Sequence, residues 1–595
     1  MKTGAAFSDH IRTENIPKRR SFIEGSLSFR RGVLLFSLVI LSGVLLIRLF
    51  TLQIVKGSYY RMLSDSNRIR TKIIYAPRGV IFDRNHTPLV YNLPGFRLIK
   101  GEKTILLNRE KALDLIANGA NNISIDSLRN YPYKEIFAHV LGYIGQITKD
   151  ELASEKYRDY LLTDLVGKTG IEYEYEAFLK GVNGKQLFEV DATGQEIRML
   201  GQTDPIPGQD LTLTLDAQLQ QAAYQAMEGV ERGAVVITTP KGEILTLLSK
   251  PSFDPNLFTL DDTYQASRSS YQTVEEIITD NKRQPLLNRA ISGVYPPGST
   301  FKIVTAVAAL YKNIIDESFK VQDTGIVKIG SFSFSNWFYT QYGKTDGDVD
   351  LIKGISRSND IFFYKLAEKV GVTNLSHIAE QMGVGKKLGI DLPGEASGVL
   401  PTPEWKKNRI GEPWYLGDTY HYGIGQGYLL TTPLQVNAWT QAIANKGKIY
   451  RPHLLMNNNS EVVFNLSLTQ KTVSLIREGM IKACSEGGTA WPLFNFRVKN
   501  SALKVDGKNF LEDISATSSA NAKSYRRVTI ACKTGTAQHG GKESLPHAWI
   551  TLFAPAYDPE IIVTVLVEEK GEGSSEAGPI AKKILEAWFG QSQSN

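Results

Sequence analysis

The chain has 595 residues, 42% of them hydrophobic and 22% charged, a composition that excludes intrinsic disorder and collagen-like repeats and leaves room for several domains. Its net charge of +7 is small for that length and marks no nucleic-acid partner by itself. The charge is uneven: residues 1–31 hold seven Lys and Arg against three acids, so the rest of the chain is close to neutral.

The basic segment stops where an apolar run begins. Gly32 to Ile47 carries no charge, and past a lone Arg48 the run resumes from Leu49 to Val55. Sixteen helical residues reach about 24 Å, slightly less than a hydrocarbon core of about 30 Å. Arg48 can snorkel to the interface while Leu49, Phe50 and Leu52 complete the crossing. A cleaved signal peptide competes with this reading, but the leader is long for one and no A-x-A-like site follows. The expectation is an uncleaved anchor over residues 32–55, a cytoplasmic tail over 1–31 and an exported remainder.

Residues 56–205 read as a separate segment of short strand-like runs such as Thr71–Tyr75 and Gly79–Phe82, broken by Pro77, Asn85, Pro88 and Pro94. Glu172–Leu179 has helical spacing, and Gly201–Gly208 reads as a linker. Residues 206–595 form the second large segment. Leu211–Leu215 predicts a strand, Ala217–Met227 a helix, and Gly233–Ile237 with Ile244–Leu248 a hairpin. The middle is helical over Thr300–Tyr311, Asp360–Val370, Asn374–Met382, Thr432–Asn445 and Thr472–Ala483. Strands return at Arg527–Cys532 and Ile561–Val567 before a closing helix, Ile580–Phe589. Outer strands and inner helices predict an α/β domain, one sheet covered by helices. Residues 497–526 read as a surface loop. A disulfide between Cys484 and Cys532 is permitted outside the cytoplasm, but the two make no framework, and buried or unpaired thiols are the favoured expectation.

Three short motifs carry chemistry. In Tyr295-Pro-Pro-Gly-Ser-Thr-Phe-Lys302 the prolines and glycine stop the preceding chain, and an apolar helix pattern follows, placing Ser299 at a helix start with Lys302 one turn on. A serine nucleophile needs a base in reach, and a desolvated amine can serve; the bland alternative is an N-cap serine with a solvated lysine. Ser358-Asn-Asp360 opens a second helix. Its serine can relay a proton, although Ser and Asp there are more often simple caps. Cys532-Lys-Thr-Gly-Thr-Ala537, read at the end of an apolar strand, offers a cation and hydroxyls to a carboxylate. Gly535 gives close backbone approach, and the strand can pair with an extended peptide. Ser501-Ala-Leu-Lys504 and Lys168-Thr-Gly170 match the first and third motifs but lack their context, and both are set aside as decoys.

In order and context the three motifs match the serine acyltransferase set S-x-x-K, S-x-N and K-T-G. On them the chain resembles the class B penicillin-binding proteins, particularly the elongation type. Arg78-Gly-Val-Ile-Phe-Asp-Arg-Asn85 and Gly167-Lys-Thr-Gly-Ile-Glu172 resemble that family's pedestal motifs. Gly389–Gly394, Trp414–Thr419 and Gly423–Tyr428 are similar to its catalytic domain. His86 stands where the family usually has glycine, and Asp360 where it usually has asparagine, the latter an elongation-type variation. The resemblance implies a serine β-lactamase/penicillin-binding fold and cross-linking of peptidoglycan stem peptides through an acyl-serine. Ser299, Lys302, Ser358 and Lys533 would be catalytic, and Asp360, Thr534, Gly535 and Thr536 would bind substrate. It implies inhibition by β-lactams and a membrane partner, a rod-shape (RodA-like) SEDS glycosyltransferase. No cofactor is implied, and the zinc clip of some relatives is unsupported because no Cys or His lies between Ser299 and His377. His539, close after the third motif, is the histidine to watch. The rival functions are a scaffold that activates the glycosyltransferase without catalysis, a D,D-carboxypeptidase and an antibiotic sensor.

Overall fold

Apolar residues follow one another from Val33 to Ile47 almost without interruption, and a helix, α1 (Glu24–Phe50), forms there and continues through a π turn, Thr51–Val55. It starts inside the basic segment instead of at Gly32. The span Phe29–Val55 is long enough to cross a membrane, at about 40 Å for helical rise, and its most apolar window has a mean hydropathy of 2.6 with none of it buried. The computed structural model describes residues 24–120, 122–191, 193, 195–260, 264–267, 269–456, 460–500, 525–540 and 544–590.

Two compact units are present. The first comprises the described residues up to Ile73 together with Lys185–Asp204. Beyond α1 it holds a helix, Gly57–Arg68, and a three-stranded sheet ordered Ile69–Ile74, Gly184–Val190, Glu196–Thr203. Glu189 ties it together by accepting from Arg68 at 2.5 Å and from Arg198 at 2.7 Å.

The second unit, Ile74–Gly184 with the chain from Pro205 on, contains two sheets of five strands. In the N-terminal one, Leu211–Thr212, Ile81–Phe82, Pro88–Lys100 and Lys103–Leu107 lie in that order, and Ile123–Asn130 also pairs with Pro88–Lys100. Two pedestal motifs meet beneath it. Arg78 donates to Glu172 and Glu176, and Arg129 donates to Glu172 and to Gly79 O. Glycine is required at Gly79 and Gly167: an added Cβ would stand 1.9 Å from Gln209 O in the first case and 1.9 Å from Glu172 O in the second. The helix expected over Glu172–Leu179 is broken at Tyr175 into Gly170–Glu174 and Glu176–Leu179. Only Leu211–Thr212 of the strand expected to run to Leu215 is regular.

The C-terminal sheet is built from β1 (Gly233–Thr238), β2 (Ile244–Lys250), β3 (Ala531–Ala537), β4 (His547–Ala554) and β5 (Ile561–Val567), in the order β2-β1-β5-β4-β3. All four neighbour pairs are antiparallel, and the two-residue side-chain period sorts β1 between two cores. Val235 and Ile237 pack with α2 (Ala217–Ala226) and the closing helix Gly578–Gly590, while Ala234 and Val236 face the helices of the middle of the chain. The sheet is thus covered on both faces, as the element order predicts. The expected strand Arg527–Cys532 is displaced: Val528–Ile530 is irregular, and the K-T-G motif itself forms β3. At the ends of the expected loop 497–526, Arg497–Lys499 pairs with Tyr525–Arg527.

The expectation of unpaired thiols is overturned. Cys484, at the C-terminal cap of the helix Gln470–Ala483, is bonded to Cys532 on β3, with the Cα atoms 6.0 Å apart. The cause is non-local: this helix packs against β3, which a sequence separation of 48 conceals.

Candidate active site

The turn carrying Ser299 is held from three sides. Gly298–Phe301 forms a 3-10 turn that feeds α3 (Lys302–Tyr311). Trp549 Nε1 donates to Pro296 O at 3.1 Å, and Gly298 N donates to Gly425 O at 2.9 Å. Gly298 has φ +53°, and a Cβ there would lie 2.9 Å from Thr536 O, so glycine lets the turn sit against β3. Phe301 stacks on Tyr422 with ring centroids 5.3 Å apart. Between Gly298 and Lys302 only Ser299 keeps partial exposure.

The Ser358-Asn-Asp360 motif is divided in an unexpected way. Asn359 Oδ1 accepts from Phe362 N at 2.9 Å and caps α4 (Asp360–Val370). The capping role expected of serine or aspartate therefore falls to the asparagine. Ser358 is left with φ +54°, a left-handed conformation that a non-glycine residue adopts only under constraint. Its hydroxyl oxygen accepts from Lys302 Nζ at 3.2 Å and from Lys533 Nζ at 2.9 Å. Two lysines from different elements thus converge on one serine oxygen.

Both lysines are fully buried. Lys302 Nζ also donates to Ser358 O at 2.8 Å and Asp360 Oδ1 at 2.6 Å, and Lys533 Nζ donates to Thr534 O at 2.8 Å. Burial pulls the Lys302 ammonium below the usual lysine range, with Asp360 pulling the other way. Lys533 is pushed well below that range by burial and then by the neighbouring Lys302 charge, against Asp360. A desolvated amine next to a second cation is the arrangement that makes a lysine a base near neutral pH.

Asp360, expected to touch substrate, uses its carboxylate inside the protein: Oδ1 accepts from Lys302 and Oδ2 from Trp337 N at 3.0 Å. Behind it Asp360 N donates to Asn336 Oδ1. Asp323 Oδ2 then accepts from Asn336 Nδ2, Asn359 Nδ2 and Asp346 N at 2.8–2.9 Å. Sequence reading missed this support because, apart from Asn359, its members belong to no recognisable spacing.

β3 is the edge strand of its sheet. Lys533 and Thr534 are buried and Thr536 is exposed. Gly535 packs so that a Cβ would meet Thr300 Cγ2, Pro297 O and Trp549 Cβ at 3.0–3.1 Å, holding the strand against the Ser299 turn. Thr534 Oγ1 lies 2.7 Å from Thr489 Oγ1, and Thr536 O accepts from Gln426 Nε2 at 3.4 Å. The three motifs thus surround one polar centre, with a strand edge beside it.

Comparison with known proteins agrees with this geometry. Residues 233–586 match the penicillin binding protein transpeptidase domain, and residues 109–213 match the penicillin-binding protein dimerisation domain. The peptidoglycan D,D-transpeptidase MrdA of Acinetobacter baumannii is 31% identical, covering 98% of this chain and 90% of its own. The chain is a class B penicillin-binding protein of the elongation type. Among solved structures, Pseudomonas aeruginosa PBP2 in complex with WCK 5153 has a TM-score of 0.67 at 32% identity, covering 88% of this chain and 99% of its own. A peptidoglycan synthase complex, described as coordinating polymerization and crosslinking, has a chain with a TM-score of 0.69 at 26% identity, covering 95% and 99%.

Of the two decoys in this penicillin-binding protein, Lys168-Thr-Gly170 has partners of its own. Lys168 donates to Glu151 at 2.5 Å at the entrance to the short helix Gly170–Glu174, and Ser501-Ala-Leu-Lys504 lies outside the described residues. His539 contacts Leu545, Glu569 and the ring of His547.

Proposed function

We propose that this penicillin-binding protein is a peptidoglycan D,D-transpeptidase that works through an acyl-enzyme on Ser299. Ser299 Oγ attacks the penultimate carbonyl of a D-alanyl-D-alanine stem peptide, and Lys302 takes its proton. Collapse of the tetrahedral adduct breaks the C–N bond, and the departing D-alanine amine receives a proton through Ser358, whose oxygen both lysines address. The amine of a neighbouring stem peptide then attacks the acyl carbonyl, the new C–N bond forms the cross-link as the ester C–O bond to Ser299 breaks, and the amine's proton passes to Ser299 Oγ. Backbone N–H groups of Ser299 and Thr536 face the oxyanion, a contribution of about 3–4 kcal/mol per donor in acyl-transfer enzymes. Lys533, Thr534 and Thr536 hold the terminal carboxylate while Gly535 admits the peptide to the β3 edge. Asp360 orients Lys302 and supports the site from behind. The observation that carries the reading is the shared approach of Lys302 and Lys533 to Ser358 Oγ. Penicillins enter the same reaction as acylating agents.

In this reading residues 1–31 form a cytoplasmic tail, 32–55 an anchor, 56–205 a pedestal and 206–595 an exported transpeptidase domain. The apolar span Phe29–Val55 supports the anchor, and the basic residues before it support the orientation. The partner is a RodA-like SEDS glycosyltransferase, supported by the similarity to a chain of a peptidoglycan synthase complex. Intact-mass measurement after incubation with a labelled penicillin tests the acyl-enzyme. One adduct per wild-type chain and per Ser501→Ala chain is expected, and none on Ser299→Ala. An adduct surviving on Ser299→Ala overturns the assignment.

A further inference from the structure

The short segment from Cys484 to Thr489 touches the third catalytic motif directly and the second through Arg357, the residue just before it. Cys484 is bonded to Cys532, the residue immediately before Lys533. Thr489 Oγ1 lies 2.7 Å from Thr534 Oγ1, immediately after Lys533. Between these two attachments, Gly487 O accepts from Arg357 Nη1 at 2.9 Å, and Arg357 immediately precedes Ser358. Lys533 is therefore flanked on both sides by residues fastened to this segment, and the Ser358 turn is fastened to its middle.

The segment is shaped to stay where it is. Gly488 N donates to Ser485 O, and Ala490 N donates to Ala483 O at 2.9 Å, closing the turn onto the end of the helix Gln470–Ala483. Gly487 takes φ +84°, and a Cβ on Gly488 would stand 2.3 Å from the carbonyl oxygens of Lys482 and Ala483. Cys532 is fully buried and Cys484 nearly so, and Arg357 is anchored at its other end by Asp346 Oδ1 at 3.1 Å. Meanwhile Ser358 sits at a positive φ that its own preferences oppose, and β3 has a paired neighbour on one side only. Both catalytic elements need outside support, and this segment reaches both.

We propose that Cys484–Thr489 is a positioning element of the transpeptidase site, which keeps Lys533 and Ser358 in register, with the Cys484–Cys532 disulfide as its lock. The inference rests on the roles given above to Ser299, Lys533 and Ser358. Thr489 orients the Thr534 hydroxyl toward the substrate carboxylate, and Gly487 holds Arg357 so that the Ser358 oxygen stays between the two lysines. None of these residues exchanges a proton or a bond with substrate. A disulfide that served stability alone would raise resistance to unfolding by restricting the unfolded chain and leave the acylation rate of each folded molecule unchanged.

The test separates those two roles and uses the full chain in detergent. Thr489→Val, Thr489→Ser and the double variant Cys484→Ala/Cys532→Ala are compared with wild type for two quantities, the end-point number of covalent penicillins per folded chain and the second-order rate of reaching it. Thr489→Val is expected to reach one adduct per folded chain about tenfold more slowly, the effect of one lost orienting hydrogen bond on a barrier, and the double variant, which frees the segment from β3, is expected to slow by at least as much. Thr489→Ser, which keeps the hydroxyl, should stay within about twofold of wild type. Wild-type rates in both Thr489→Val and the double variant overturn the proposal, leaving the disulfide as a stability element only. Should the double variant fail to fold, the contrast between Thr489→Val and Thr489→Ser decides. Failure of the Ser299 assignment is distinguishable, because it appears as an adduct on Ser299→Ala and not as a change of rate.

Discussion

Arg78 and Glu172, 94 residues apart in the chain, are joined by hydrogen bonds of 2.7 and 3.2 Å inside the protein. The pair explains why two motifs of the N-terminal region carry the residues they do. Glu172 is fully buried and neutralised by Arg78 and Arg129, which hold its carboxyl below the ordinary range in spite of burial. Glu172→Gln leaves Arg129 without its carboxylate partner in a dry setting. Breaking one side of a buried ion pair costs about 3–5 kcal/mol. The denaturant midpoint of the full chain should fall accordingly, while molecules that remain folded acylate with penicillin at the wild-type rate. An unchanged midpoint would show that the cluster is hydrated and dispensable. Asp83 is equally interior, accepting from Asn85 N, Thr87 N and Ala217 N. Variants at Arg78 or Asp83 therefore report on folding, and exposed pedestal residues are the proper probes of a partner surface.

Ser358 offers a test of strain held at a functional position. Alanine and glycine both remove its hydroxyl, but only glycine tolerates φ +54°. A left-handed conformation costs a Cβ-bearing residue about 1–2 kcal/mol. Ser358→Gly should therefore unfold at higher temperature than Ser358→Ala, by the equivalent of about 1 kcal/mol after glycine's own entropy is allowed for. Both should acylate more slowly than wild type by about a hundredfold or more, as expected when a proton-transfer group is lost. Thermal unfolding and acylation rates of the two variants, measured side by side, check both halves.

Much of this was legible in the sequence, for physical reasons that differ from element to element. Asp360–Val370 and Ile561–Val567 were read with their observed ends because a cap or an apolar run marks each one locally. The three motifs were legible because each combines a turn with a helix or strand whose pattern is short-range. β4, the paired neighbour of β3, was missed although its run His547–Ala554 is as fully buried as that of β5. The Asp323–Asn336–Asp346 support was missed because side-chain networks of that kind are assembled from residues with no common period. The disulfide was misread for a related reason: cysteine spacing carries no information about a helix end meeting an edge strand.

His86 stands at φ +59° in the turn after Asp83, which gives a reason for glycine to be usual there. Histidine tolerates that region better than most residues, and its ring makes a T-shaped contact with Phe82 at 6.3 Å. His86→Gly relieves the backbone but loses that contact, so a net stabilisation of at most about 1 kcal/mol is expected. A small rise in unfolding temperature with unchanged acylation supports this balance, and a fall would show that the ring contact outweighs the backbone term.

Asp360→Asn tests how the lysine pair is tuned. The charged groups that face one another at this centre are Lys302, Lys533 and Asp360. Burial lowers both lysines, and Asp360 is the group that raises them again. Removing its charge makes both ammonium groups easier to deprotonate, so the acid limb of the acylation profile should move to lower pH. The limb belongs to the pair and not to one residue, since two amines this close lose protons in coupled steps. The stability effect has a defined sign. A lysine whose folded pKa lies below its unfolded value destabilises the fold fully at pH below the folded pKa, and the penalty fades as pH rises toward the unfolded value near 10.4. Asp360→Asn extends that window downward, so the variant should lose stability most at acid and neutral pH and recover it in alkali. The plateau rate should also fall by about tenfold, because an amide holds Lys302 less firmly than a carboxylate. Acylation by a labelled penicillin measured across pH, with unfolding followed on the same samples, gives both curves. An acid limb that stays in place or moves to higher pH would show that Asp360 does not set the protonation of the pair.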